Sequence, residues 1–300
     1  MHWDFIDEGL KFNPNIIIAH NYRHLHTLKS LTLKKKLNNN CKVFLVTHAP
    51  FVQKNTTRSK IEDILVDLFD KTIGKIIINK YDKIITISKW ELPFLKKIGV
   101  NKNKIKYIPN GVPMEFYKDI VNIKKNKKIL YLGRIHPVKC IENLILAIKN
   151  TSINLEIIGF AEKKYLEKIK NLIKINNIKN VYIKKPIYNI IEKIQIYDSA
   201  EIYVLPSKRE SSSQTLIEAM ARKLIVISTA TDGGKEHIKN NINGYLIPIN
   251  NRYILEDKIK QIIKLNKKDK EKIKTNAYLY SKQFEIKKTI NKLERLFYEN

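Results

Sequence analysis

Cysteine is nearly absent from this chain of 300 residues: Cys41 and Cys140 stand far apart, in no C-x-x-C pair. That scarcity excludes a disulfide framework and a zinc ribbon, and it fits a reducing cytosol. Long apolar runs are also lacking; the longest are strand-sized, so no segment is expected to span a bilayer. The first residues, Met1-His2-Trp3-Asp4-Phe5-Ile6-Asp7-Glu8, offer no basic segment leading into an apolar one, so no signal peptide is expected. Signatures of nucleic-acid readers are missing as well, whether helix-turn-helix, zinc finger or RNP-like aromatics, and no nucleic-acid partner is expected. Acidic residues are few, 29 against 57 Lys and Arg, for a net charge of +28. The lysines are spread along the whole chain among Ile and Asn, as a coding bias toward A and T would produce. Distributed lysine still favours an anionic cytosolic leaflet. The expectation is a cytoplasmic protein, with peripheral contact at the inner membrane face.

What is present is an α/β pattern. Hydrophobic residues make up 43% of the chain, enough for two cores of ordinary domain size. β-branched runs at 15–19, 42–47, 83–88 and 104–108 read as strands, with amphipathic stretches at 22–37 and 61–80 and a short helix at 89–98. The turn cluster Pro109-Asn110-Gly111-Val112-Pro113 breaks this pattern, and the lysine-rich stretch 118–128 reads as a linker. Beyond it, strands are expected at 129–132, 155–158, 181–183, 202–205, 225–228 and 245–247. Helices are expected between the first five, at 141–149, 164–175, 190–199 and 213–222. Six strands with crossover helices describe a doubly wound parallel sheet, whose ligand crevice opens at the carboxyl ends of the strands. Residues 269–300 read as helical, with Tyr278, Tyr280, Phe284, Leu293 and Phe297 as one apolar stripe.

Two segments could carry chemistry. After the run Ile202-Tyr203-Val204-Leu205-Pro206 come Glu210, three serines (Ser211, Ser212, Ser213), Gln214, Thr215 and, one helical turn on, Glu218. A helix starting just after a strand aims free N–H groups into the crevice, where an anion binds. Glu210 in the loop and Glu218 on the second turn would face the same space and suit sugar hydroxyls. The spacing alone fits equally well an ordinary helix flanked by a dipole-favoured Glu and a solvated one. In the second segment, the strand at 129–132 ends at Gly133, then Arg134 and Lys139 flank Pro137 before a new helix. Two fixed cations at a helix start would clamp a diphosphate through charge-assisted hydrogen bonds of roughly 1.5–3 kcal/mol each.

These segments, in this order, resemble glycosyltransferase family 4. Glu210 and Glu218 resemble its E-x7-E signature. Leu132-Gly133-Arg134 with Lys139 is similar to its G-R-L…K-G segment, with Cys140 in place of the usual glycine. Ile87-Ser88-Lys89-Trp90 resembles V-S-x-x, Ile108-Pro109-Asn110-Gly111-Val112 the I-P-N-G-V hinge, and Asn243-Gly244-Tyr245-Leu246 the N-G-x-L strand. Residues 229–236, with Gly233, Gly234 and Glu236, resemble the G-G-x-x-E loop, shortened by one residue. The matches run from about the first strand to the end of the chain.

The resemblance implies a GT-B fold, two Rossmann-like doubly wound domains facing a cleft. It implies an N-terminal acceptor-side domain over 1–117, a nucleotide-sugar domain over 118–275, and a helix over 276–300 packing back on the first domain. The first strand resembles the family's D-V-I-H-A-H segment, which normally follows an opening strand and glycine-rich loop, so the N-terminal domain is expected to be incomplete. Arg134 and Lys139, beside Gly133, are expected to neutralise the leaving nucleoside diphosphate, with the backbone of Ser213, Gln214 and Thr215 capping a phosphate. Glu218 is expected to hold the ribose hydroxyls, and Glu210 to contact the transferred sugar near its reacting face. His48 sits where a family histidine approaches the donor, though it also fits a surface histidine at a strand end. His20 and Asn21 are expected to line the cleft. The His20-x-x-x-His24 spacing suits zinc, but no carboxylate or thiol partner stands beside it, and the chain has no Asp-x-Asp. No metal and no other cofactor is therefore expected.

The implied activity is transfer of a hexose from a nucleotide-sugar to a glycan or lipid-linked acceptor, with retention of anomeric configuration. Two alternatives stay open: a non-catalytic subunit whose N-terminal domain is completed by a partner polypeptide, and another GT-B enzyme such as a nucleotide-sugar epimerase.

Overall fold

The computed structural model describes residues 5–37, 40–50, 59–118 and 128–298. Apart from its end residues, the expected linker at 118–128 lies outside them. The chain divides into two compact units, Met1–Pro109 with Asn291–Asn300, and Asn110–Ile290.

The first unit runs α1 (Ile6–Phe12), β1 (Ile16–His20), α2 (Leu25–Lys36), β2 (Lys42–Val46), α3 (Lys60–Phe69), α4 (Lys75–Ile78), β3 (Lys83–Thr86), α5 (Leu92–Ile98) and β4 (Ile105–Tyr107). Its four strands are parallel, in the order β1-β2-β3-β4. Side chains alternate across a strand, so β2 feeds two cores. Val43 and Leu45 join Ile84, Ile78 and Leu95 on one side. Phe44 and Val46 join Ile85, Ile87, Ile108 and Leu296 on the other. The amphipathic stretch expected at 61–80 is not one helix. A π-turn at Asp70–Gly74 separates α3 from α4. Asp70 there is paired with Arg23, and a Cβ on Gly74 would stand 2.5 Å from the Tyr22 hydroxyl.

The second unit runs β5 (Ile129–Leu132), α6 (Ile141–Ala147), β6 (Leu155–Ile158), α7 (Lys163–Ile175), β7 (Val181–Lys184), α8 (Ile190–Asp198), β8 (Ile202–Leu205), α9 (Gln214–Ala221), β9 (Ile225–Thr229), α10 (Asp232–His237), β10 (Tyr245–Ile247), α11 (Arg252–Lys264) and α12 (Lys267–Ser281). All six strands are parallel, in the order β10-β9-β8-β5-β6-β7. From β5 the chain winds outward through β6 and β7; from β8 it winds the opposite way. Right-handed crossovers then place the helices of the two halves on opposite faces. The near-continuous apolar strands match a sheet covered on both sides.

The stripe expected over 269–300 is divided. A 3-10 turn at Lys282–Phe284 separates α12 from α13 (Ile286–Tyr298). Tyr280 and Phe284 pack on the core of the second unit, whereas Leu293 and Phe297 pack with Phe44 in the first. The break is made by a segment distant in sequence: Val112 donates to the Phe284 carbonyl (2.6 Å) and accepts from the Ile286 N–H (2.9 Å), bridging to Glu285 between them. No helix among the described residues is long and apolar enough to cross a membrane.

Candidate functional site

Strand order reverses between β5 and β8, and ligands of open α/β sheets bind beyond the carboxyl ends at such a switch point. The loops that leave β5 and β8 carry the two sequence segments singled out above. They are tied together by the Lys208 N–H on the Val138 carbonyl (2.9 Å) and by an ion pair between Lys139 and Glu210. Two residues assigned different targets from sequence are thus each other's partner, largely withdrawn from solvent.

Gly133 ends β5 at φ +156°, and the Tyr131 hydroxyl holds the turn by donating to the Arg134 carbonyl (2.7 Å). The neighbouring strand must also end in glycine. A Cβ on Gly159 would fall 1.9 Å from the Gly133 carbonyl oxygen, so only glycine lets β6 finish against this loop. The Arg134 side chain is exposed and has no hydrogen-bond or ion-pair partner among the described residues. Cys140, where the family pattern has glycine, is buried at φ 47°. That left-handed conformation explains the preference for glycine, and a cysteine tolerates it at a cost of roughly 1–2 kcal/mol.

On the β8 side, the Ser207 hydroxyl donates to Glu210 Oε1 (2.6 Å), and the Glu210 carbonyl accepts from Gly233 (2.9 Å). Residues 229–236, matched to a loop motif from sequence, form the end of β9 and most of α10. Ser213 is the N-cap of α9, its hydroxyl accepting from the Leu216 N–H (3.4 Å). The amides of 213–215 lie at the start of that helix, where geometry provides no intrahelical acceptor. Gln214 reaches the Gly111 carbonyl (2.8 Å). The Thr215 hydroxyl shares hydrogen bonds with Tyr203 (2.7 Å) and Ser213 (3.2 Å).

Glu218 is only 3% exposed. Its carboxylate accepts from Lys193 Nζ and the Tyr197 hydroxyl, at 2.7 and 2.8 Å. Burial raises its pKa, and the Lys193 ammonium opposes the shift. Glu210 and Glu218 do share a neighbourhood. Tyr203, whose pKa burial raises most, is raised further by both carboxylates. Thr215, Ser213, Glu210 and Glu218 therefore all act on one buried tyrosine.

Sequence reasoning missed Tyr203, Lys193, Tyr197 and Ser207. A tyrosine inside a fully buried strand needs a hydroxyl partner at the strand's end, which was a usable signal for Tyr203. Lys193 carried none, one lysine among many.

His48 belongs to the other unit, where it follows β2. Its Nε2 lies 2.8 Å from His20 Nδ1, and the rings stack with centroids 5.1 Å apart. Burial lowers the His48 pKa, and His20 adds to the shift. His24 faces His26, centroids 5.3 Å apart. Among the described residues no group of three or more His, Cys, Asp or Glu is placed to hold a metal ion.

Known proteins share sequence and fold with this chain. Residues 113–280 match the family model described as "Glycosyl transferases group 1", and residues 2–116 match "Glycosyltransferase Family 4". An uncharacterized glycosyltransferase of Methanocaldococcus jannaschii is 24% identical over 98% of this chain and 78% of its own length. One from Haemophilus influenzae is 31% identical over 60% of this chain and 52% of its own. The capsular polysaccharide biosynthesis glycosyltransferase CapM of Staphylococcus aureus is 24% identical over 57% of this chain and 45% of its own. Among solved structures, a glycosyltransferase from Rickettsia africae superposes with a TM-score of 0.78 at 20% identity, covering 98% of this chain and 78% of that one. Anabaena HepE, solved in complex with UDP, superposes at 0.79 with 16% identity, covering 97% and 81%. The α/β architecture, with two parallel sheets, is the one these GT-B proteins share.

Proposed function

The chain belongs to the group 1 glycosyl transferases, and from that premise we propose that it moves a hexose from a nucleotide-sugar to a glycan or lipid-linked acceptor, retaining the anomeric configuration. The observation that carries this reading is the Lys139–Glu210 pair at the β5/β8 switch point, beside the first turn of α9 and an Arg134 side chain with no partner among the described residues. A nucleoside diphosphate fits such a place. Arg134 would take the outer phosphate oxygens, and the amides of Ser213, Gln214 and Thr215 would cap a phosphate. Lys139 has two further N–H donors beyond the one given to Glu210. A Glu218 carboxylate has acceptor capacity left for ribose hydroxyls, and Glu210 would face the sugar. The HepE structures with UDP and with UDP-glucose support a uridine nucleotide as the first donor to try. The CapM relative supports a glycan acceptor.

Chemically, the bond between the anomeric carbon and the diphosphate oxygen breaks, and the acceptor hydroxyl attacks from the same face. Its proton passes to the departing phosphate oxygen. Negative charge grows on the diphosphate as the bond lengthens, so cations and amide dipoles fixed beforehand stabilise the transition state more than the ground state. No side chain is assigned as a nucleophile, in keeping with front-side attack.

Incubation with UDP-, GDP- and ADP-sugars tests the reading. Release of nucleoside diphosphate is expected from at least one, with Glu210→Ala abolishing it while the fold persists, and an acceptor product whose anomeric NMR coupling matches the donor's. Full turnover by Glu210→Ala would overturn the site, and an inverted product would overturn retention.

A further inference from the structure

We propose that Glu91 is the positioning residue that fixes His48, by fastening the backbone turn on which the imidazole rides. This deepens the proposed function, since it rests on His48 taking part in the proposed transfer. His48 and Ala49 are consecutive non-glycine residues in the left-handed region, at φ 53° and 51°. L side chains disfavour that region, so a pair of them persists only where surrounding contacts over-determine the backbone. His48 does not supply those contacts itself: its side chain meets His20, which stands on β1.

Glu91 supplies them. It lies on the 3-10 turn that follows β3 and is 0% exposed. Its Oε2 accepts from the Ala49 N–H (3.0 Å) and from the Thr47 hydroxyl, the residues on either side of His48. Its Oε1 accepts from Ile87 N–H (3.2 Å) and Ser88 N–H (3.1 Å) at the end of β3. The carboxylate thus riveted between two neighbouring strand ends has only uncharged donors around it. Part of the arrangement is local: Ser88 and Glu91 form a capping box, which accounts for the Ser88 contact and the glutamate's rotamer. The reach to Thr47 and Ala49 is beyond anything a cap requires.

The pattern needs a carboxyl group in particular: both oxygens accept, and when one carries the proton its O–H can donate to the Thr47 hydroxyl, which has the Ile85 carbonyl as its own acceptor. An amide has one accepting side, so Glu91→Gln would turn an NH2 group either onto Ala49 N–H or onto the Ile87 and Ser88 N–H groups. Either orientation opposes donor to donor and frees one end of the clamp. Glu91→Asp keeps both acceptors but shortens the reach.

Imidazole NMR on the whole chain tests this, with His48 titrated in the wild type, in Glu91→Gln and in Glu91→Asp. The wild-type His48 is expected to titrate below its ordinary value, with ring contacts to His20. In Glu91→Gln its midpoint should move by at least half a pH unit and the contacts to His20 weaken, with Glu91→Asp between the two. An unchanged His48 titration in a folded Glu91→Gln protein would overturn the proposal. If Glu91→Gln does not fold, Thr47→Val removes one of the four donors and is read the same way: a smaller shift supports the proposal, none overturns it. Nucleotide release from UDP-glucose by His48→Ala, Glu91→Gln and the double variant separates this inference from the function it rests on. Glu91→Gln should slow release about tenfold alone and less than twofold in the His48→Ala background; equal slowing in both backgrounds would overturn positioning through His48. A shifted His48 titration with full release by His48→Ala would instead uphold the clamp and remove His48 from the reaction.

Discussion

Glu218 offers the sharpest stability test, because its surroundings allow the loss to be apportioned. Replacing it by alanine removes a carboxylate that is 3% exposed and holds Lys193 and Tyr197. Hydrogen bonds to a charged group contribute roughly 1.5–3 kcal/mol each, and stranding one member of a buried pair costs about 3–5 kcal/mol. Two features reduce that figure here. The Tyr197 hydroxyl keeps a second acceptor, the Thr215 carbonyl at 3.2 Å. The Lys193 side chain is about a quarter exposed (24%) and lies 5.7 Å from the Phe116 ring, so its charge can turn to water or stay over the aromatic face. The expected loss is therefore about 2–3 kcal/mol for Glu218→Ala. Adding Lys193→Ala should recover about 1 kcal/mol, since no ammonium is then left without its partner. Urea unfolding of the four proteins in the cycle, followed by circular dichroism, measures both quantities. A loss under 1 kcal/mol, or a coupling of zero, would refute the reasoning that this carboxylate is held by the pair rather than merely near it.

Two further predictions follow from contacts already described. Gly159→Ala places a methyl group 1.9 Å from the Gly133 carbonyl, so β5 and β6 must part at the site; a destabilisation of about 3 kcal/mol is expected, and calorimetric melting within a degree of the wild type would contradict it. Burial raises the Glu91 pKa from 4.5 to about 7, so the folded state binds that proton more tightly than the unfolded chain does. Stability fully present below pH 4.5 should fall by about 3 kcal/mol as the pH rises to 7 and then level off. Glu91→Gln should flatten that slope in urea titrations at pH 5 to 8, and an equal slope in both proteins would contradict the shift.

Much of the fold was legible because parallel strands buried on both faces spell themselves as short β-branched runs. All ten observed strands fall within a residue or two of the expected ones. The short helices α1 and α10 escaped because neither spans enough turns to set up a periodicity; α11, thirteen residues long, escaped without that reason. The divided C-terminal stripe escaped for another reason: what interrupts it is Val112, more than 150 positions away, bonding across Glu285. The site followed the same rule. Gly133 and the helix start at Ser213 were readable because backbone conformation at a strand end and the onset of a helix are local demands. The Lys139–Glu210 pair spans 71 positions and the Lys193–Glu218 pair 25, and only the strand order brings them together. Glu91 lay between these cases, with its capping box written in Ser88-Lys89-Trp90-Glu91 but its hold on Ala49 invisible until β2 and β3 are paired.

The account turns on whether the β5/β8 loops grip a diphosphate. Titration calorimetry with UDP and GDP, in low salt and without added metal, measures this directly for the wild type, Arg134→Ala and Lys139→Ala. At least one nucleotide should bind, and each substitution should weaken it roughly tenfold to a hundredfold, as the loss of one charge-assisted hydrogen bond implies. Binding of equal strength in all three proteins, or none in any, would contradict the account.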